Sequence, residues 1–527
     1  MKKVATPNFR SRRLELAAVF VAYFTSFFVL NGLNVAMPRI AADLNGMPNY
    51  AWAISIPALA SAFVILIFGK LSDMYGRRIL LLVSTGLIII GAILCATSQT
   101  FALLIVALGI LGMGQGAIQP LSFSVLGDMY APAERSMWAG LLNISSGITA
   151  LIAPTLSGWL VDNLSWRYIF WLDVPLALLA GMIVLIGLPV LAKRETHRID
   201  VKGSIYLALA TSTMILGISW AGNTYAWASA QIIGLLGFSV VSWVLFLRAE
   251  TKAPEPMLDP QVLTNRTFIT ASVTALISFF GITSIMVYYP LFLQGVQAHS
   301  ATLSGKIITP FSVLMTIIGI PTGFLIAKTK RYKWMFVGGY GILTIVMFGM
   351  VALEADTPVG WAFAISTVAG LGLGTIPTIN ALVVQYAVPK RLLGVATGGL
   401  YFFVMMGRAI SPAILGSVMN AVYARKLAAS LPASLGQIIG KVTLSSLNNP
   451  RVLLSESAMA ELQGVFNGTG NQAPELVEQT VQAIRSALES GLHVIFLIGA
   501  VTMLVSFLLI LTIPEISLDS EEQNPNE

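Results

Sequence analysis

Long apolar stretches recur along this chain with short polar connections between them, and no other feature constrains its fold so strongly. A helix needs about 20 mostly apolar residues to cross a bilayer. Fourteen segments qualify, at about 15–37, 50–70, 79–98, 101–126, 137–161, 168–191, 203–222, 230–248, 268–293, 305–327, 334–353, 359–385, 393–421 and 491–513. The chain is 56% hydrophobic and only 10% charged over 527 residues. A soluble domain of this size needs more surface charge than that. The expected fold class is therefore an all-α polytopic membrane protein.

Charge orients the spans. With the N-terminus in the cytoplasm, 22 of the 31 Lys and Arg residues fall on the inside, in the head and in the even-to-odd loops. Short outside loops hold only Arg39, Arg167 and Lys306. This is the positive-inside bias, and fourteen spans place both termini in the cytoplasm of a plasma (inner) membrane. The net charge of +7 is mostly this orientation signal. No nucleic-acid partner is expected, because the basic residues sit at loop ends and form no patch interleaved with aromatics. The first apolar run is too long for a cleaved leader and is followed by "AMPRIAADL", a poor cleavage site. Cys95 is the only cysteine, so no intrachain disulfide is available.

The chain repeats itself. "GMGQG" (Gly112 to Gly116) returns as "GLGLG" (Gly370 to Gly374), and Pro154 and Gly158 return as Pro412 and Gly416, all at an offset of 258 residues. Parallel repeats with a substrate site between them are a transporter architecture. The expected division is 1–14, a cytoplasmic segment; 15–195, a six-helix bundle; 196–255, two inserted helices with flanking cytoplasmic loops; 256–421, five helices of the second bundle; 422–490, a long outer loop; 491–513, the last helix; and 514–527, an acidic cytoplasmic tail. "LPASLGQIIGKVTLSSL" and "PELVEQTVQAIRSALESGL" in the outer loop have amphipathic helical spacing. A cap over the outer helix ends is the favoured role for them. "NGT" at Asn467 fits a glycosylation acceptor on that side.

The strongest local motif is "GKLSDMYGRRILLL" (Gly69 to Leu82) in the first cytoplasmic loop. Gly69 lets helices approach, and Gly76 permits a tight turn. Asp73 suits a helix N-terminus or Arg77, and such a cluster can latch two bundles in one conformation. "GKLSDMYGRR" resembles the signature loop of the major facilitator superfamily. "NVAMP" (Asn34 to Pro38), "SWRYIFWLDVP" (Ser165 to Pro175) and "YYPLFLQGV" (Tyr288 to Val296) extend the resemblance to its fourteen-span drug:proton antiporter branch. The resemblance implies twelve core helices in two bundles, two extra central helices, a central cavity and alternating access. It also implies a cytoplasmic gate of Gly69, Asp73, Gly76, Arg77, Arg78, Asp128 and Arg135.

Departures from the family pattern concentrate on the proton pathway. Asn31 stands where an Asp usually precedes the "NVAMP" element, and Leu108 stands where helix 4 usually carries an Arg. The helix 5 motif reads "APTLSG", with Ala153, Pro154 and Gly158, and Thr149 replaces its leading Gly. Asp173 stands where Asn is usual. An Asn cannot exchange a proton in the physiological range, which leaves Asp173 or Asp128, both near helix ends, as candidates to carry protons. The interior is otherwise neutral and polar: Asn31, Asn34, Gln115, Gln119, Asn143, Asn223, Gln294, Asn380 and Gln385. For each of these alone, helix-to-helix hydrogen bonding is the plain reading, worth about 0.6 kcal/mol. Asn31, Asn34, Gln115, Gln119, Asn143 and Arg408 are the candidates for a substrate cavity. Gly112, Gly116, Ala153, Pro154, Gly158 and Pro412 are the candidates for close packing and bending.

The expected function is secondary active export of amphipathic small molecules by a monomer. The deep cation Arg408 and the absent acid at Asn31 tilt the substrate toward neutral, anionic or lipid-like compounds. A lipid translocator without standard proton coupling is the first alternative, and a membrane sensor or scaffold is the second. No cofactor or metal is expected, and no enzyme activity: the three histidines lie far apart, and no nucleotide-binding loop is present.

Overall fold

The computed structural model describes residues 9–129, 132–188, 201–221, 225–251, 260–389, 392–431, 450–466 and 473–515. The first amphipathic segment expected in the outer loop, Asn467 and the acidic tail lie outside the described residues. Almost everything described is helix. Eleven helices are long and apolar enough to cross a membrane among the described residues. The remaining three expected spans are helical too, at Tyr50–Tyr75, Pro132–Asn163 and Val201–Trp220.

We label the helices in chain order. The first bundle holds α1 (Phe9–Asp43), α2 (Tyr50–Tyr75), α3 (Arg77–Thr97), α4 (Phe101–Met129), α5 (Pro132–Asn163) and α6 (Arg167–Gly187). Next come α7 (Val201–Trp220) and α8 (Ala230–Glu250). The second bundle holds α9 (Arg266–Val296), α10 (Ala301–Ile326), α11 (Lys333–Val351), α12 (Val359–Tyr386), α13 (Leu393–Ser430) and α14 (Ala473–Leu511).

Local chemistry sets the helix starts. Ser229, Asn265 and Ser300 each accept a bond from the backbone N–H three residues on, at the N-termini of α8, α9 and α10. Gly76 separates α2 from α3 at φ 93°, a conformation open to glycine and strained for other residues. Its N–H donates to Ser72 O, and the Arg77 guanidinium donates to Ser72 Oγ. Gly76→Ala is expected to lower stability by about 1 kcal/mol, read as an earlier melt in detergent. An unchanged melt would show that the turn relaxes around a side chain.

Packing within the bundles follows the repeat. In the first, α1 packs on α5 and α6, α3 on α4 and α6, and α2 on α4. Shifted by eight helices, the same neighbours hold in the second: α9 with α13 and α14, α11 with α12 and α14, and α10 with α12. The Gly-rich repeats explain part of this. A Cβ at Gly112 or Gly116 would collide with the α2 backbone at Pro57 and Ser61, at 2.5 Å in each case. Their counterparts Gly370 and Gly374 meet Phe311, Leu314 and Ile318 on α10. Helices α7 and α8 pair with each other, and α7 leans on α13 and α2.

Two features differ from simple apolar rods. Around Pro290, α9 widens into π-helical turns at Ser284–Tyr288 and Phe292–Val296. Helix α14 starts at Ala473, so the second amphipathic segment of the outer loop runs unbroken into the last span. At one end of the bundle, Leu14 of α1 lies against Gly187 of α6, and Tyr332 Oη donates to Pro514 O beyond α14. This is the near end, shared by the start of α1 and the close of α14; the opposite end is the far end.

Candidate functional site

Helix α5 has two working faces, one residue out of phase. Thr149, Ala153 and Ser157 recur every four residues and meet α1. Asn31 Nδ2 donates to Thr149 Oγ1 at 3.2 Å, and Thr149 Oγ1 donates in turn to Ser146 O at 2.7 Å. A Cβ at Gly32 would touch Ser157 Oγ and lie 3.3 Å from Ala153 O. Small residues here bring the two helices together within one bundle. Two of the departures noted in the sequence therefore touch each other: Asn31 for an acid, Thr149 for a glycine.

The second face crosses to the other bundle. Pro154, Gly158 and Asp162 also recur every four residues, and all three meet the start of α10. A Cβ at Gly158 would stand 2.4 Å from Ala301 O, and one at Gly305 would stand 2.4 Å from Pro154 O. The two glycines interlock the backbones. Asp162 completes the joint: its carboxylate accepts from the N–H groups of Ala301 (3.1 Å) and Thr302 (2.6 Å) and from Thr302 Oγ1 (2.5 Å). An acid at a helix N-terminus is favoured by the unsatisfied amides there.

The repeat builds the same joint again. Ser411, offset 258 from Ala153, shares a 2.6 Å hydrogen bond with Thr283 of α9 inside the second bundle. Gly416, offset 258 from Gly158, meets Ala51 at the start of α2 across the divide, with a Cβ 2.5 Å from the Ala51 Cβ. Tyr288 Oη donates to Pro412 O (3.0 Å), and Tyr50 Oη donates to Val287 O (3.1 Å). Gln294 Nε2 donates to Val35 O and Asn420 Nδ2 to Pro48 O, while Arg39 Nη1 reaches Leu454 O beyond α13. The bonds that tie the two bundles gather toward the far end.

The other sequence candidates fall as follows. Gln119 lies beside Tyr23 of α1. Gln115 is half-buried, with its Nε2 unpartnered. Asn34 is half-buried, and Leu108 is fully buried. Arg408 is half-buried on α13, one turn from Pro412, and no acidic side chain among the described residues forms an ion pair with it. Arg78 donates to Leu185 O on the last turn of α6, where a cation suits the helix C-terminus. Gly69 lies within α2. The side chains of Asp73, Asp128, Arg135 and Asn143 lie outside the described ones, so the expected Asp73–Arg77–Asp128 arrangement is not on view. Asp162 and Tyr50 did not stand out in the sequence, and Tyr288 did so only as the first residue of "YYPLFLQGV". Four-residue spacing from Pro154 through Gly158 to Asp162 was the available signal for the first.

Comparison with known proteins fits this geometry. The chain is 28% identical over 524 residues to the multidrug transporter protein MdtP of Bacillus subtilis, covering 97% of this chain and 94% of that protein. It is 27% identical over 539 residues to the efflux pump FUS6 of Gibberella fujikuroi, covering 99% and 94%. It is 29% identical over 483 residues to the uncharacterized MFS-type transporter Rv1877 of Mycobacterium tuberculosis, covering 92% of this chain and 66% of that longer protein. Among solved structures, a bacterial homolog of the human lysosomal transporter Spinster superposes with a TM-score of 0.59 at 14% identity, covering 96% of this chain and 98% of that one. The family model described as Major Facilitator Superfamily matches residues 19–412, and the chain belongs to that family.

Proposed function

We propose that this protein exports amphipathic small molecules across the plasma membrane by alternating access, with both termini in the cytoplasm. The observation that carries the reading is the doubled joint at the far end. Each bundle is bound internally by helix packing, and the two are held to each other by close glycine contacts, Gly158 against the backbone of Ala301 and Thr302 and Gly416 against the Ala51 Cβ. Opening that joint rocks one bundle against the other about a site between them, a rigid-body route to alternating access. The positive-inside bias puts the near end in the cytoplasm, which makes the closed far end the outer gate. Export is supported by the relatives named as multidrug transporter and efflux pump.

Substrate charge follows from what lines the helices. Asn31 is neutral and spends its amide on Thr149. Arg408 is the deep cation. A groove of about 500 Å³ opens between α5 and α10, lined by Leu151, Ile152, Leu156, Trp159 and Lys306. Leu151, Ile152 and Trp159 are about half exposed on what becomes the lipid-facing side. This favours the narrower reading of a lipid-like or anionic amphiphile that enters sideways.

The test uses purified protein in liposomes with an imposed pH gradient, following a cationic dye beside a fluorescent anionic lipid. Wild type is expected to move the lipid. In Asn31→Asp the ionised carboxylate cannot donate to Thr149, and it adds a negative charge to the pathway. Dye movement driven by the gradient is expected to rise about tenfold, a 1.4 kcal/mol effect. Wild-type movement of the dye against its gradient would refute the anionic preference. Movement of neither compound would return the scaffold alternative.

A further inference from the structure

Asp173 sits where the chemistry of the fold gives a carboxyl no reason to be. The inward stripe of α6 is Ile169, Phe170, Asp173, Ala177, Ala180 and Val184, packed on α3 and α1. Asp173 is 0% exposed, and both carboxyl oxygens are buried without a hydrogen-bond partner. A structural acid accepts bonds from caps, amides or cations, and this one has none among the described residues.

The neighbouring charges make their bonds elsewhere, apart from Arg39 Nε, which is buried without a partner. On α1, Arg39 donates to Leu454 O, and Asp43 accepts from Trp166 Nε1 and pairs with Arg167 at 3.9 Å. On α6, Arg167 also donates to Ser98 O, and Tyr168 is half exposed. On α5, Asp162 is bound to α10. On α3, the buried Cys95 thiol lies within electrostatic reach of Asp173 and supplies no positive charge. Glu15, Tyr23, Arg77 and Arg78 belong to the other end of α1 and α3. An ionised carboxylate without a partner in such surroundings costs several kcal/mol, so this packing holds the neutral acid.

We infer that Asp173 is a proton-binding site linked to the far end. When the far end opens and water reaches α6, the acid loses its proton to water and remains as a carboxylate. Taking one proton back restores the neutral acid that lets the end close dry. Closure of the far end and binding of one proton are therefore thermodynamically linked. The acid missing at Asn31 has a replacement on a different helix, two turns in from the far rim. Its consequence for export rests on the function proposed above; the proton site itself does not.

The experiment has two readouts on the full chain. Infrared spectra of purified protein report the carbonyl stretch of protonated carboxyl groups. Wild type is expected to show a band that Asp173→Asn lacks and that Asp173→Glu shifts. The second readout is labelling of Ala301→Cys, buried in the far-end joint, taken as a ratio to labelling of the exposed rim variant Asn163→Cys at the same pH; the sole native thiol, Cys95, is buried. The ratio removes the thiol's own ionisation, since the thiolate is the reactive form; it is expected to rise with pH by up to tenfold per unit, the slope of one linked proton, and to be flat in Asp173→Asn. An unchanged infrared band in Asp173→Asn, or a flat labelling profile in wild type, overturns the proposal. Failure of wild type to move any amphiphile would sink the export reading alone, since neither readout requires substrate.

Discussion

Gly158→Leu is expected to abolish transport while leaving the protein folded. A Cβ at this position lies 2.4 Å from Ala301 O and 2.9 Å from Thr302 Cα, so the obstacle is backbone and cannot swing aside. Overpacking of this kind costs about 1–3 kcal/mol. The upper value corresponds to roughly a hundredfold loss in the ratio of closed to open far end. That cost falls on closure because the clash exists only when the two bundles meet. The control is Gly112→Leu, whose Cβ would stand 2.5 Å from Pro57 O inside the first bundle. There the clash accompanies folding itself, so the control is expected to melt earlier. Liposome flux, detergent melts and labelling at the buried Ala301→Cys separate the two variants. Wild-type flux in Gly158→Leu, or a melt as low as that of Gly112→Leu, would show that the interlock is ordinary packing.

How far the sequence went can be judged at particular residues. Membrane helices were legible because hydropathy acts over twenty residues at a time and lipid leaves the backbone few options. The 258-residue offset was legible as duplication, and it carried more than was drawn from it. It maps Gly158 onto Gly416 and so doubles the joint. Pairings across long separations were not legible: Asn31 and Thr149 are 118 residues apart, and each looked like an isolated departure. Asp162 escaped because an exposed acid at a helix end usually serves only solubility. The π-turns of α9 escaped because a helix buried on every side shows no polar face to reveal its period. Helix α14 reaches into the outer loop because its amphipathic and apolar parts share one helical phase, while hydropathy marks only the apolar part. The buried state of Asp173 needed the fold: in sequence it is one acid near the end of a span.

Asp162→Ala is expected to act in the same direction as Gly158→Leu by a different force. The substitution removes two backbone bonds and a hydroxyl bond that α10 makes to a carboxylate of the other bundle. The site is exposed, so water competes for these groups, and the net loss is about 1–2 kcal/mol rather than the full value of three charged bonds. Ser300 still accepts from Leu303 N, so α10 keeps a cap and the helix keeps its start. The loss therefore appears in the gate: labelling at the buried Ala301→Cys rises by about five- to thirtyfold, and the melt barely moves. Asp162→Asn keeps one acceptor oxygen without the charge and is expected to fall between wild type and Ala. The double variant with Gly158→Leu decides whether the two residues act on one joint. If they do, labelling in the double variant exceeds that of Gly158→Leu only slightly, because a joint already held open no longer presents α10 to Asp162. Independent effects that simply multiply would mean that the cap and the glycine interlock belong to separate motions, and the single far-end gate would have to be abandoned.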